Sequence, residues 1–315
     1  RAGMRSRSPL PLLALVGLAL VLLLAGCGSA EKTITIGTKF DQPGLAVKKP
    51  DGSMAGLDVD VATYVADKLG FSTDDIDWKE APSGQRETLI QNGQVDYIVA
   101  TYSITDQRKQ KVSFAGPYLQ TGQSLLVRAD ETEITGPESL ENAKRLCSVS
   151  GSTPAQRIKD KYPGVQLQQY DTYSACVEAL RNGAIDAVST DEVILAGFAA
   201  QYPCTFRIIW EPFSTEYYGI GLRLGDVELL DKINAAIVEM QQDGSWKAAF
   251  DRNLGPAGIS APAPPQLDTD AGGGAAAKVD ILGKYGGLIL KAFWTTVKLT
   301  VLAAIGALIL GTALA

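Results

Sequence analysis

The stretch Gly56-Leu57-Asp58-Val59-Asp60-Val61-Ala62 begins the segment that decides the fold class of this 315-residue chain. Its apolar residues recur at helical spacing as far as Leu69, and Gly70 is typical of a helix end. Asp58 and Asp60 fall in the first turn, where the helix dipole favours acidic side chains. A β-rich run at residues 33–37 precedes this segment, so the sequence predicts a strand followed by an amphipathic helix.

Strand-like and helix-like runs alternate from residue 33 to residue 254, which favours an α/β fold. The strand patterns lie at residues 33–37, 76–78, 97–99, 124–127, 146–149, 165–170, 185–188, 206–210 and 218–222. The helix patterns lie at residues 59–69, 86–91, 153–162, 172–181, 192–201 and 227–240, with a short helix after residue 244. Because the pattern restarts after residue 127, we expect two lobes with a cleft between them. A single large sheet is the alternative.

Residues 100–108 join a short apolar strand to a polar, helix-like segment. Thr101 and Ser103 would point the same way if the strand continued through them. Thr105 can cap the following helix, and the guanidinium of Arg108 can bind a carboxylate through two parallel hydrogen bonds. This arrangement predicts a site that holds a small carboxylate, and ordinary helix capping is the alternative.

The composition restricts the classes of function. A formal net charge of −6 without any run of basic residues argues against a nucleic-acid partner. The absence of histidine removes the commonest general base and the commonest zinc ligand. No glycine-rich loop ending in Lys-Ser or Lys-Thr occurs, so we expect any ATP hydrolysis to reside in another chain. No cofactor is predicted.

The first residues of the chain resemble a bacterial lipoprotein signal. Three arginines among the first seven residues precede an apolar run at residues 10–24, and Ala25 and Gly26 then lead to Cys27. The resemblance implies that residues 1–26 are a signal peptide and that Cys27 is lipidated. An uncleaved anchor helix is the alternative.

The last 60 residues differ in composition from the rest of the chain. Residues 256–279 are rich in Pro, Ala and Gly and predict an extended linker. An uncharged apolar run follows at residues 299–315, and when counted from Phe293 it is long enough to span a bilayer. We therefore expect one transmembrane helix within residues 280–315, with a buried core helix as the alternative.

Three cysteines remain after Cys27, and in an exported protein they can form one disulfide. Cys147 lies in a strand-like run and Cys176 in a helix-like segment two elements later. We favour a bond between Cys147 and Cys176. A bond to Cys204, or three buried thiols, are the alternatives.

The segment at residues 56–69 resembles the signature of family 3 extracellular solute-binding proteins, the receptors of polar amino-acid ABC importers. Residues 113–118, residues 185–187 ahead of Asp191, and residues 218–221 resemble further features of that family. The resemblance covers residues 33–254 and is closest to the glutamate-binding lipoproteins of Gram-positive bacteria. It implies no enzyme, and a receptor that works with ABC permease subunits and a cytoplasmic ATPase.

The family resemblance also implies a fold. This is the two-lobed α/β periplasmic-binding-protein type II fold, in which two hinge strands join the lobes. The solute-binding domain would occupy residues 31–255. Lobe 1 would comprise about residues 31–126 and 219–255, and lobe 2 about residues 129–215.

Carried over residue by residue, the resemblance implies how the ligand's backbone groups are held. Arg108 would bind the α-carboxylate, with Thr101 and Ser103 as flanking hydroxyls. Ser152 and Thr153, at a helix N-terminus of the second lobe, would close on the same carboxylate. Asp191 would accept the α-ammonium, and a surface Asp that caps a helix is the alternative.

A second charged end of the pocket is expected at Lys39, Ser83 and Arg86. These positions resemble those where dicarboxylate-binding relatives carry cations and a hydroxyl for the distal carboxylate. If the ligand's side chain were neutral, the two cations beyond Arg108 would be buried without a counter-charge. Glutamate is therefore favoured, with aspartate or glutamine as alternatives. The aromatic ring that covers the ligand in many relatives has no obvious counterpart, since only Phe40 is nearby.

The C-terminal tail resembles a different family. Residues 281–300 are similar to the start of the permease subunit of the same importers, so residues 280–315 would be a truncated permease N-terminus. The chain would then lie on the outer face of the bacterial cytoplasmic membrane, attached through Cys27 and through its C-terminal helix.

Two other classes of protein share the expected fold. Dehydratases that act on ring carboxylates are one, but without histidine the acid and base would have to be carboxylates such as Asp191 or Glu192. Glutamate-gated channels are the other, and their membrane helices interrupt the binding domain. No apolar span interrupts residues 33–254, which argues against a channel.

Overall fold

The computed structural model describes residues 32–267, apart from residues 142 and 210, and residues 291–300, apart from residues 292 and 299. The predicted signal peptide, Cys27 and most of the predicted permease segment lie outside these residues. Within the described ranges, no helix is both long enough and apolar enough to cross a membrane.

The strands and helices alternate much as the sequence predicts. The strands are β1 (Ile34–Thr38), β2 (Asp41–Gln42), β3 (Ala46–Lys48), β4 (Met54–Ala55), β5 (Ile76–Glu80), β6 (Tyr97–Ile98), β7 (Ser113–Thr121), β8 (Gln123–Arg128), β9 (Arg145–Val149), β10 (Gln166–Tyr170), β11 (Ala187–Asp191), β12 (Phe206–Ile209) and β13 (Glu216–Leu222). The α-helices are α1 (Leu57–Lys68), α2 (Arg86–Gln91), α3 (Asp106–Lys109), α4 (Thr153–Lys161), α5 (Tyr173–Arg181), α6 (Glu192–Gln201), α7 (Val227–Gln242) and α8 (Ser245–Asn253). Helical residues also occur between residues 291 and 300.

Two five-stranded sheets form the centres of two lobes. The first sheet has the order β5-β1-β6-β13-β7 and the second has the order β10-β9-β11-β8-β12. The chain passes from the first sheet to the second at Gly122, between β7 and β8, and returns between β12 and β13. The expected two-lobed α/β architecture is therefore present, and the first crossing falls a few residues before the expected lobe boundary at residue 126.

The first helix packs one face against the first lobe. In α1, Leu57, Val61 and Val65 are fully buried, and they belong to the same core cluster as Trp246 and Phe250 of α8. Burial of each such side chain contributes about 1.5–3 kcal/mol, so this face accounts for the position of α1 on the sheet.

In the second lobe, a disulfide ties a helix to the sheet. Cys147 of β9 and Cys176 of α5 are bonded, with their Cα atoms 5.6 Å apart, and both side chains are fully buried. Cys204 is an exposed free thiol. The bond closes a loop that contains all of α4 and β10.

Three features differ from the sequence-based expectations. The nine-residue strand β7 and the small sheet β2-β3-β4 have no counterpart in the predicted elements. The first part of the predicted linker is also packed rather than extended into solvent. Ile259, Ala261 and Leu267 lie against the hydrophobic core, and the Pro265 carbonyl accepts a hydrogen bond from Gln241 at 3.4 Å.

Candidate ligand-binding site

Arg108 connects the two lobes across the cleft. Its Nη1 donates to the Ser103 carbonyl at 2.8 Å and to the Thr153 hydroxyl at 2.9 Å. Its Nη2 donates to the Gly151 carbonyl at 3.2 Å. Ser103 belongs to lobe 1, whereas Gly151 and Thr153 belong to lobe 2, so one guanidinium holds both walls of the cleft together.

The position of Arg108 is fixed by its own short helix and by a neighbouring carboxylate. Thr105 caps α3, accepting a hydrogen bond from the Arg108 N–H at 3.2 Å, as the sequence predicts. The Oε1 of Glu87 lies 3.3 Å from the Nε of Arg108. The Arg108 side chain is 9% exposed, so these interactions are only weakly screened by water.

The strand that precedes this segment does not continue through Thr101 and Ser103. The strand β6 ends at Ile98, and Thr101 adopts a positive φ of 46°, which is uncommon for a residue with a branched side chain. The Thr101 hydroxyl contacts the Gln42 side chain at 3.1 Å and donates to the Ala100 carbonyl at 2.8 Å. Thr101 therefore lies on an irregular loop, whereas Ser103 pairs with Tyr218 of β13 in a single antiparallel β-bridge.

A buried carboxylate holds that loop in place. Asp58 accepts hydrogen bonds from the Thr101 N–H at 2.8 Å and from the Tyr118 hydroxyl at 2.7 Å. Burial raises the pKa of Asp58 to about 6, and both hydrogen bonds oppose this rise. The local sequence pattern indicates only the helix-dipole interaction of Asp58, because its hydrogen-bond partner Thr101 lies 43 residues further along the chain.

Lys39, Ser83 and Arg86 form a second charged cluster in lobe 1. The Lys39 ammonium donates to the Ser83 hydroxyl at 2.9 Å, and Arg86 donates to the Ala100 carbonyl at 3.0 Å. Lys39 is 5% exposed and Arg86 is 2% exposed. In the part of the chain that the structure describes, no carboxylate oxygen lies within 4.0 Å of either cation.

Burial and mutual repulsion act on these cations. Burial, followed by the charge of Arg86, lowers the pKa of Lys39 to about 7. Burial, followed by the charge of Arg108, lowers the pKa of Arg86 to about 10. The Tyr102 ring lies close to both guanidinium groups, 4.1 Å from that of Arg86 and 4.9 Å from that of Arg108, and its π face partly offsets their repulsion. Nothing in the local sequence pattern indicates this role of Tyr102.

Asp191 ends β11 and faces the same cleft. The Tyr218 hydroxyl donates to its Oδ2, while its buried Oδ1 has no hydrogen-bond partner among the described residues. Burial, followed by the charge of Glu216, raises the pKa of Asp191 to about 8. Asp191 makes no side-chain cap to α6, which argues against a simple capping role.

Ser152 and Thr153 begin α4 at the lobe-2 side of the cleft. The Ser152 hydroxyl caps this helix by accepting from the Ala155 N–H at 3.2 Å, and the Thr153 hydroxyl accepts from Arg108. A pocket of about 330 Å³ lies at this point, and its lining includes Ser83, Arg108, Ser152 and Thr153. Predicted residues of both lobes, Ser83 and Arg108 on one side and Ser152 and Thr153 on the other, thus line one pocket.

The contacts divide the predicted residues into three groups. One group surrounds Arg108, a second surrounds Lys39 and Arg86, and Asp191 presents a free carboxylate oxygen from the opposite lobe. Within the described ranges, no cluster of three His, Cys, Asp or Glu side chains could hold a metal ion. The arrangement suits reversible binding of a small charged molecule between two lobes that close around it. These features are typical of a two-lobed binding protein.

Comparison with known sequences gives the family. Residues 34–256 match the family described as bacterial extracellular solute-binding proteins, family 3. The chain belongs to this family and is a solute-binding receptor.

Similar sequences include several receptors with stated ligands. The glutamate-binding protein GluB of Corynebacterium glutamicum is 55% identical over 232 residues, covering 71% of this chain and 79% of that protein. GluB of Corynebacterium efficiens is 52% identical over 252 residues, covering 74% of this chain and 86% of that protein. The glutamine-binding protein GlnH of Bacillus subtilis is 34% identical over 259 residues, covering 76% and 94% of the two chains.

Solved structures of binding proteins share the fold. An ancestral arginine-binding protein bound to glutamine superposes with a TM-score of 0.67 at 33% identity, covering 71% of this chain and 98% of that chain. The L-cysteine receptor of Neisseria gonorrhoeae gives a TM-score of 0.68 at 26% identity, covering 72% and 92%. An ancestral amino acid-binding protein described as a precursor of cyclohexadienyl dehydratase gives 0.65 at 24% identity, which indicates the fold alone.

Proposed function

We propose that this receptor binds an acidic amino acid, glutamate foremost, and delivers it to an ABC importer. The observation that carries the proposal is the pair of buried cations, Lys39 and Arg86, without a carboxylate partner among the described residues. A buried charge without a counter-ion is strongly destabilising, so a ligand that brings a negative charge to this end of the cleft gains affinity. The names of the two Corynebacterium relatives support the same ligand.

The proposed binding mode uses the three groups of residues separately. Arg108, with Thr153 closing from lobe 2, binds the α-carboxylate, and the free Oδ1 of Asp191 accepts from the α-ammonium. Lys39 and Arg86 bind the side-chain carboxylate. The remaining predicted residues shape the walls around these groups, and they are Ser83, Thr101, Ser103 and Ser152.

The competing ligands differ in the charge and length of the side chain. Aspartate brings the same charge on a shorter side chain. With its α-carboxylate bound to Arg108, its side-chain carboxylate would not reach Lys39. Glutamine has the right length but leaves both cations unpaired. The expected order is therefore glutamate, then aspartate or glutamine, because charge-assisted hydrogen bonds contribute about 1.5–3 kcal/mol each.

The domain organisation completes the proposal. Residues 1–26 are the signal peptide, Cys27 carries the lipid, residues 31–255 form the binding domain, residues 256–279 connect it, and residues 280–315 enter the membrane. The receptor then acts at the outer face of the cytoplasmic membrane, and permease subunits with a cytoplasmic ATPase are its partners.

Calorimetry against the twenty amino acids tests the ligand. We expect heat of binding with glutamate, weaker binding of aspartate and glutamine, and none with arginine or lysine. Arg108→Ala is expected to abolish measurable binding of all of them, whereas Arg181→Ala, an exposed arginine outside the cleft, serves as the control. Binding of a cationic amino acid without binding of glutamate would refute the ligand, and glutamate affinity retained in Arg108→Ala would refute the site.

A further inference from the structure

Glu216 is a buried carboxylate at the point where the chain returns from lobe 2 to lobe 1. It is the first residue of β13 and is 4% exposed. Its Oε1 accepts hydrogen bonds from the Gln123 amide at 3.0 Å, from the Arg157 guanidinium at 2.7 Å and from the Ser214 hydroxyl at 3.1 Å. Three donors therefore satisfy this one buried oxygen.

These donors connect the two crossings between the lobes with a helix of lobe 2. Gln123 directly follows the first crossing at Gly122, and its N–H donates to the hydroxyl of Ser214 in the second crossing at 3.0 Å. Arg157 of α4 donates from Nε to the Gln123 side-chain oxygen at 2.9 Å. Gln123, Arg157, Ser214 and Glu216 thus form one hydrogen-bonded group, here called the crossing cluster.

The crossing cluster lies next to Asp191, the carboxylate proposed to bind the ligand's ammonium. Asp191 and Gln123 are paired residues of the neighbouring strands β11 and β8. In β13, the buried Glu216 and Tyr218 alternate with the exposed Tyr217, so they share one face of the strand. The Tyr218 hydroxyl donates to Asp191. Two separate connections, through β8 and through β13, therefore bring the Glu216 carboxylate towards that of Asp191.

The electrostatic effect of Glu216 on Asp191 agrees with this placement. Burial, followed by the charge of Glu216, raises the pKa of Asp191 to about 8. Arg157 is the cation that pairs with Glu216. The other titratable groups that interact with Asp191 are Tyr218 of β13, Tyr173 of α5, Arg86 of α2 and Arg108 of α3.

We propose that Glu216 is a positioning residue for the ammonium site, which acts through Asp191, and that Arg157 is its counter-ion. This inference rests on the proposed function and assigns the crossing cluster a part in ligand recognition. Thr153 and Arg157 are one helical turn apart on the same face of α4, so the helix that brings Thr153 to Arg108 also brings Arg157 to Glu216. Binding of the α-carboxylate and of the ammonium would then depend on the position of one helix.

The pH dependence of binding distinguishes this role from a purely structural one. Only ionised Asp191 binds an ammonium, so removing a nearby negative charge should extend binding to lower pH, and removing a nearby positive charge should have the opposite effect. The test is glutamate calorimetry of the full chain at about pH 6 and about pH 9, on either side of the pKa of Asp191. The affinity of Glu216→Gln, relative to wild type, should be about tenfold higher at the lower pH than at the higher one, as for a pKa shift of one unit. The relative affinity of Arg157→Met should change in the opposite direction.

The controls keep the charge or change it elsewhere. Arg157→Lys keeps the positive charge and should keep the pH dependence of wild type. Glu178→Gln and Arg181→Met remove the charges of an exposed ion pair in the same lobe and should also keep it. An unchanged pH dependence in Glu216→Gln, or shifts of Glu216→Gln and Arg157→Met in the same direction, would overturn the proposal. If Glu216→Gln does not fold, the Arg157 variants decide, and equal pH dependence of Arg157→Met and Arg157→Lys would overturn it.

Failure of this inference can be told apart from failure of the proposed function. Glutamate and glutamine carry the same α-ammonium, so the comparison can be repeated with glutamine. A wild type that binds glutamine but not glutamate would refute the proposed ligand, and the glutamine measurements would still test Glu216 and Arg157. If wild type binds neither amino acid, both proposals fail.

Discussion

Lys39 and Arg86 are two buried positive charges that lie within one small cluster. Burial disfavours the charged form of a lysine, and here it lowers the pKa of Lys39 to about 7. Arg86 remains protonated at this pH because its pKa is about 10. Of these two cations, Lys39 is therefore the one whose charge changes near neutral pH, and a bound carboxylate would stabilise its protonated form.

This arrangement predicts that glutamate affinity depends on pH. Only protonated Lys39 attracts a carboxylate, so affinity should fall as the pH rises above about 7. The pKa of Asp191 is raised to about 8, and only its ionised form binds an ammonium, so affinity should also fall as the pH decreases below that value. Calorimetry across this range should give a bell-shaped dependence with its maximum between the two values.

Lys39→Met separates the two limbs of the pH profile. The variant should lose roughly 2–5 kcal/mol of glutamate binding at neutral pH and lack the alkaline limb, while it keeps the acidic limb. Lys247→Met, at an exposed position on α8, is the control and should keep the whole profile. An alkaline limb that persists in Lys39→Met would assign that limb to another group.

For individual residues, the sequence predicts which charged side chains belong to the candidate site better than it predicts the backbone conformation that positions them. Arg108, Lys39 and Asp191 stand beside predicted strands, so their placement near one edge follows from local patterns. The conformation of Thr101 could not be predicted in this way. It depends on Asp58, whose carboxylate reaches the Thr101 N–H from a distant part of the chain.

Among the elements, those with local apolar periodicity were predicted most closely. The helices α2 and α6 begin and end at the predicted residues. The strand β7 was not predicted, because it pairs with β13 about a hundred residues later and its sequence includes Gly116 and Pro117, which are typical of turns. Such a strand is defined by its partner rather than by its own pattern.

The disulfide between β9 and α5 is the covalent link whose contribution can be measured. Its cysteines are 29 residues apart, and closing a loop of that length in the unfolded chain is worth about 3–4 kcal/mol in the chain-entropy model. The double variant Cys147→Ala/Cys176→Ala should therefore unfold at a lower denaturant concentration than wild type. Cys204→Ala should leave the unfolding midpoint unchanged, because that thiol is free and exposed. Equal midpoints for wild type and the double variant would contradict this account.

The whole molecule is held closed by contacts on both sides of the cleft. Arg108 joins the lobes at the proposed α-carboxylate site, and Asp41 joins them at the start of α5. Near the crossing strands, Arg157 of α4 donates to the buried Glu216 at 2.7 Å. The contacts made by Asp41 and Arg157 do not involve proposed ligand-binding residues. The affinity for the ligand therefore depends on how well the two lobes fit together as well as on the residues of the pocket.

Outside the pocket, Gly197 of α6 lies against the loop of lobe 1 at Pro43. A Cβ atom at Gly197 would lie 2.0 Å from the Pro43 carbonyl oxygen, far inside van der Waals contact. Gly197→Ala should therefore leave lobe 2 intact and oppose closure. Overpacking typically costs about 1–3 kcal/mol, which corresponds to a loss of about 5- to 150-fold in affinity.

The loss in Gly197→Ala should be the same factor for glutamate and for glutamine, because the substitution acts on closure and touches neither ligand. Gly255→Ala is the matched control, since a Cβ atom there meets no other atom within 4 Å. Calorimetry with both ligands, combined with thermal unfolding of the ligand-free variants, measures the effect. Unchanged affinity in Gly197→Ala would show that the lobes bind ligand without bringing α6 against Pro43. A loss that differs between the two ligands would place the effect inside the pocket, where Gly197 makes no proposed contact.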